Sequence, residues 1–148
     1  VGCSPLEPSI TSILNQPVKA DQLTIHPKFG WLYMREKAYE RILNQAFGNK
    51  WELRPTSPWY KTPSDAVLFR FFALFVNNKF ISEACGEQEL AMTTGRVNAE
   101  RRVRYAALVR VCKELGVATE LWDKPVVDAI RMKNFEMTEN VWKEKAQH

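Results

Sequence analysis

Between Ala66 and Val76 the chain reads AVLFRFFALFV, apolar at odd and even positions alike, with Arg70 its single charge. A strand with one wet face alternates, so this run predicts a central strand buried on both sides. Asn77-Asn78, residues tolerant of positive φ, follow at once, and Phe80–Cys85 returns as a third strand. Upstream, Trp51, Leu53 and Pro55 alternate with Glu52 and Arg54, the pattern of a strand with one solvated face. The three segments predict an antiparallel meander. The loop from Pro55 to Pro63 is too proline-rich to be a central strand. The apolar run is far shorter than the roughly 20 residues a membrane-spanning helix needs, so no membrane role is expected.

Helices flank the meander. Tyr39, Ile42, Leu43 and Ala46 recur at three- and four-residue spacing, predicting a helix over Leu32–Phe47 that Gly48-Asn49 ends. A second, long helix fits Asn98–Leu115 and stops at Gly116; Val117–Trp122 extends or caps the core. Lys124-Pro125 breaks the chain, and Val126–Glu144 predicts a last helix. The first 30 residues carry Pro5, Pro8, Pro17 and Pro27 and read as an extended arm with one short turn around Ser9–Gln16. The predicted class is α+β: helix, three-stranded antiparallel β-meander, long helix, with an N-terminal arm and a C-terminal helix. Residues 1–30 form the arm, 31–123 the core and 124–148 a C-terminal helical extension.

Composition narrows the chemistry. A chain of 148 residues fits one domain with extensions, and 21 Lys+Arg against 17 Asp+Glu leave +4, compatible with a polyanionic partner. Cys3, Cys85 and Cys112 form no CxxC pair, and an odd number at wide spacing argues for a reducing compartment. His26 and His148 are the only histidines, too few for a His-ligated zinc site or a catalytic triad. Glu83, Glu87 and Glu89 lack the loop pattern of calcium sites and read as a solvated strand end or partners for nearby arginines. Gly95 and Gly116 belong to no phosphate-loop motif. Neither an enzyme nor a metal or cofactor protein is expected. Beginning at Val1 rather than Met, the chain reads as a processed or truncated form.

The positive charge is concentrated. Arg96, Arg101, Arg102, Arg104, Arg110 and Lys113 share their window with one acid, Glu100, for a net of +5. At about 100° per residue, Arg102, Arg110 and Lys113 fall within roughly 80° of one another. Leu108, Val111, Cys112 and Leu115 occupy another arc, toward the sheet. Arg101 and Arg104 lie nearer the apolar arc, where they must sit at the helix edge, snorkel, or be met by an anion. Lys50, Arg54, Lys61 and Arg70 add charge from the sheet, and Trp59 and Tyr60 offer rings for base stacking or for a satellite core.

Three segments carry a family resemblance. Arg41-Ile42-Leu43-Asn44-Gln45-Ala46-Phe47-Gly48 followed by Trp51 is the first, and Ala84-Cys85-Gly86-Glu87-Gln88-Glu89 the second. The third and most specific runs from Ala107 through Arg110, Lys113 and Gly116 to Trp122-Asp123. Together they resemble the mitochondrial genome maintenance family of recombination proteins, a branch of the ring-forming single-strand annealing proteins. The resemblance covers about residues 35–123; Arg101 and Arg102 look like additions, and the arm and the tail after Asp123 have no counterpart that aligns. It implies ATP-independent binding and annealing of single-stranded DNA in the mitochondrial matrix. It also implies assembly into homo-oligomeric rings with a groove between sheet and long helix, and it assigns DNA contacts to Arg41, Arg104, Arg110 and Lys113.

Two functions therefore stand as expectations. One is single-stranded DNA binding and annealing, with phosphates held by the basic residues named above. The other keeps the fold as a structural RNA-binding protein of a mitochondrial ribosome or another ribonucleoprotein, its proline-rich arm ordered by an embedding partner.

Overall fold

The computed structural model describes residues 6–145; Cys3 and His148 lie outside them. The α+β class and the order helix, meander, long helix are as expected. The meander is a four-stranded sheet, one short edge strand more than expected: β3 (Trp51–Pro55), β4 (Tyr60–Lys61), β5 (Val67–Val76) and β6 (Lys79–Glu89). β5 is central. β3 and β4 pair with successive stretches of its one side, forming an interrupted edge, while β6 lines its whole other side. Asn77 and Asn78 turn the hairpin at φ 52° and 62°. β6 runs four residues past the expected Cys85, so Glu87 and Glu89 lie on a strand rather than beyond its end.

One face of this sheet is buried beneath α3 (Arg96–Glu114). Leu68, Phe72 and Leu74 of β5 meet Val103, Ala107, Leu108 and Val111 of α3 in a single core. Helix and sheet approach closely at Gly86 on β6, where an added Cβ would stand 1.9 Å from the Val103 carbonyl oxygen. The opposite face is not buried as expected for a run apolar on both parities. Phe71 there is 37% exposed; Phe69 is covered by the ring of Tyr60 at 5.2 Å and Phe75 by the Arg54 guanidinium at 4.4 Å.

Preceding the sheet is α2 (Glu36–Phe47), which buries Tyr39, Ile42, Leu43 and Phe47 and ends at Gly48 with φ 65°. It starts four residues later than its periodicity suggests. Leu32 and Met34 face inward and Tyr33 outward, a two-residue alternation that makes β2 (Leu32–Met34), paired with β1 (Leu23–Ile25). The first thirty residues thus hold more structure than an extended arm. α1 (Pro8–Leu14) buries Leu14 in the common core, and β1 buries Leu23. Asn15 packs against Gly116 at the end of α3, and the Val18 amide donates to Glu120 Oε2 at 3.0 Å.

The C-terminal helix is present but short. α4 (Lys124–Asn134) has Pro125 in its first turn, where a missing amide costs nothing, and stops before a hairpin of β7 (Phe135–Thr138) and β8 (Val141–Glu144). Glu139 and Asn140 turn that hairpin at φ 55° and 64°. Phe135 enters the core, and the Trp142 amide donates to the Pro27 carbonyl at 2.8 Å, fastening the C-terminal hairpin to the N-terminal one. No helix among the described residues is long and apolar enough to cross a membrane.

Candidate nucleic-acid interface

The long helix has its buried stripe fixed by Ala99, Val103, Ala107, Leu108, Val111 and Cys112. That choice rotates Arg102, Arg110 and Lys113 to the side of the helix facing the outer edge of β6. A groove runs along this side in two adjoining sections, with Arg110 and Trp122 lining both. The first, of about 420 Å³, lies among Tyr33, Arg102, Tyr105, Val109, Arg110 and Trp122. The second, of about 430 Å³, lies among Ser82, Glu83, Cys85, Lys113, Glu114 and the two shared residues.

The charge in the two sections differs. Arg102 and Arg110 line the first with no carboxylate on its wall, and Arg102 has no ion-pair partner among the described residues. Arg110 donates to the Cys85 carbonyl at 2.6 Å and to Glu87 Oε1 at 3.1 Å. The Glu87 pair is exposed, worth at most about 1 kcal/mol, so a phosphate can take its place while the carbonyl bond keeps the guanidinium aimed. In the second section Glu83 and Glu114 offset Arg110 and Lys113. The Lys113 ammonium lies 4.0 Å from the Trp122 ring centroid. An anion is therefore best met at the Arg102–Arg110 end. Tyr33, 39% exposed, and Trp122, 49% exposed, bring two ring faces to the same stretch.

The other sequence-stated positions are not gathered there. Arg104 reaches across to α2, where Glu36 accepts its hydrogen bond at 2.7 Å; the anion that meets this inward-leaning arginine is internal. Arg96 pairs with Glu100 one turn along α3, and Arg54 with Glu52 on β3, each at 2.8 Å. Arg41, Lys50, Lys61 and Arg101 are exposed, carry no carboxylate partner among the described residues, and line neither section. Trp59 is half-buried, with the guanidinium carbons of Arg70 at 4.7 Å and Arg96 at 5.6 Å from its centroid. Tyr60 belongs to the outer sheet face. The groove rings are Tyr33 and Trp122 instead. The alternation around Tyr33 was the signal for one; Trp122 stood in the third family motif, but nothing in its spacing placed it beside the long helix's basic side.

The groove's thiol and one of its phenols, Cys85 and Tyr105, are pushed toward their neutral forms. Burial, and then the nearby Glu87 carboxylate, push the Cys85 thiol up, and burial alone pushes Cys112 up to about 12. Tyr105 is raised to about 12, chiefly by burial, and donates its hydroxyl to the Met34 carbonyl, tying α3 to β2. Such a site suits reversible capture of a strand by charge and stacking.

Comparison with known proteins finds relatives over most of the chain. The model of the family described as mitochondrial genome maintenance MGM101 (Mgm101p) matches residues 1–148. The chain is 34% identical over 135 residues to the mitochondrial genome maintenance protein MGM101 of Kluyveromyces lactis, covering 90% of this chain and 50% of that protein. To its Schizosaccharomyces pombe counterpart it is 36% identical over 131 residues, covering 88% and 47%. To the mgm101 homolog of Dictyostelium discoideum it is 34% identical over 122 residues, covering 80% and 32%. The chain thus spans half or less of these relatives' lengths. The match reaches beyond residues 35–123: the arm and the tail, which gave no alignable motif, belong to the family pattern.

Proposed function

The chain belongs to the mitochondrial genome maintenance MGM101 family, and from that premise we propose that it binds single-stranded DNA in the α3–β6 groove and promotes annealing in mitochondria. The observation that carries this reading is the meeting, in one groove section, of Arg102 and Arg110 with the rings of Tyr33 and Trp122 and no acidic wall. Guanidinium forks hold phosphates, and rings accept any base by stacking, so capture is sequence-tolerant. Annealing follows when the bases outside the groove pair with a second strand; the step is non-covalent and calls for neither ATP nor a metal. Several copies side by side, in the ring the family resemblance implies, would hold one strand along its length.

The ribosomal reading rested on an arm ordered by an embedding partner. Leu14 and Leu23 in the protein's own core account for that order, so nothing in the fold favours it.

Titration of a labelled oligo-dT across a salt series tests the proposal. Log affinity should fall with log salt by about 0.7 per phosphate contact. Arg102→Glu and Arg110→Glu should each weaken binding to all sequences alike and flatten that slope. Salt-independent affinity, or full affinity in the double variant, would rule the groove out.

A further inference from the structure

The β1–β2 hairpin carries two rings that the groove leaves unused. From Gln22 to Arg35 the sequence has no acidic residue, yet it holds His26, Lys28 and Arg35 interleaved with Phe29, Trp31 and Tyr33. At the hairpin tip Phe29 is 50% and Trp31 57% exposed, and the two rings stack with centroids 4.7 Å apart. Their backbone is held from three directions. His26 Nδ1 accepts the amides of Lys28 at 3.2 Å and Phe29 at 3.1 Å. Arg131 of α4 donates to the Gly30 carbonyl at 2.9 Å. The Trp142 indole packs under Gly30, φ 72°, so closely that a Cβ there would lie 2.7 Å from its Nε1. The tip is braced, and although its two rings stack on each other and pack beside His26, each keeps about half of its surface in solvent.

The tip is also continuous with the groove. Trp31 and Tyr33 share the outer face of the hairpin, two residues or about 7 Å apart along it. Tyr33 is a wall of the section that holds Arg102. The opposite end of the groove closes on Glu83 and Glu114, so a polyanion leaves by the Arg102 end, toward the acid-free hairpin.

We propose that the hairpin tip is a second stacking platform, on which Trp31 and Phe29 hold bases of a single strand as it leaves the groove, with Lys28 and Arg35 facing its phosphates. The inference rests on the single-strand reading above and extends it to a part of the molecule outside the long helix and the meander. Basic side chains on a hairpin that has no acid of its own select a polyanion, and two half-exposed rings select one whose bases are unpaired.

Binding of labelled oligo-dT and of an equally long abasic strand, which has the phosphates without the bases, separates the outcomes. Trp31→Ala should weaken oligo-dT binding roughly tenfold, the order expected for one lost stacking contact. Its salt slope and its affinity for the abasic strand should match the unsubstituted protein, and Trp31→Phe should recover most of the loss. Oligo-dT affinity unchanged in Trp31→Ala, or an equal loss on the abasic strand, would overturn the platform while leaving the groove intact. So would unchanged DNA binding with an altered native mass, which would make the tip a protein contact. Phe29→Ala takes the same test if Trp31→Ala fails to fold. Failure of the unsubstituted protein to bind oligo-dT would overturn both the platform and the groove.

Discussion

Gly86 shows how one residue position sets the site. Its missing Cβ lets the α3 backbone settle onto β6, the strand that with α3 bounds the groove. Its φ is unremarkable, so Gly86→Ala adds bulk and no turn strain, yet the new methyl would overlap a helix carbonyl that cannot rotate away. Overpacking of this kind costs about 1–3 kcal/mol or more; chemical denaturation should show a loss at or above that range, with weakened DNA binding in whatever remains folded. Stability unchanged in Gly86→Ala would mean the helix lies higher over the sheet. At the same scale the sequence was partly legible. Asn77-Asn78, Gly48 and Gly116 announced their turns because positive φ favours those residue types. The partners of the arginines did not show. Arg104 and Glu36 are 68 residues apart and Arg110 and Glu87 are 23 apart, so only the fold brings them together.

Among elements, the two terminal hairpins were the part the sequence concealed. Three residues of alternation at Leu32–Met34 are swamped by the helical periodicity that starts at Glu36. Glu139-Asn140 lacks the glycine that usually marks a two-residue hairpin turn, so the C-terminal segment read as one helix. What joins these hairpins is Trp142, under Gly30 and within 5.8 Å of the Arg131 guanidinium. Trp142→Ala removes that brace from a partly buried position and should cost about 2 kcal/mol, below the range for a fully buried tryptophan. The melting temperature should fall by about 4–8 °C, and limited proteolysis should cut first near Pro27–Trp31. Cleavage elsewhere, with the tip still protected, would show that the hairpins stand independently.

The whole molecule joins an apolar sheet face, a helix with one buried and one cationic side, and terminal segments that close over the ends of both. Among the described residues no charged side chain is buried in the core, which leaves the arginines free to serve the surface. Four of the ten basic positions suggested by sequence are paired with carboxylates, and three, Arg102, Arg110 and Lys113, line the two adjoining groove sections. The central claim is the path of the strand. Photo-crosslinking with a 4-thiothymidine oligonucleotide, followed by peptide sequencing of the adducts, locates that path directly. Adducts on Tyr33 and Trp122 are the expected result. Adducts confined to Tyr60 and Phe71, on the far face of the sheet, would contradict it.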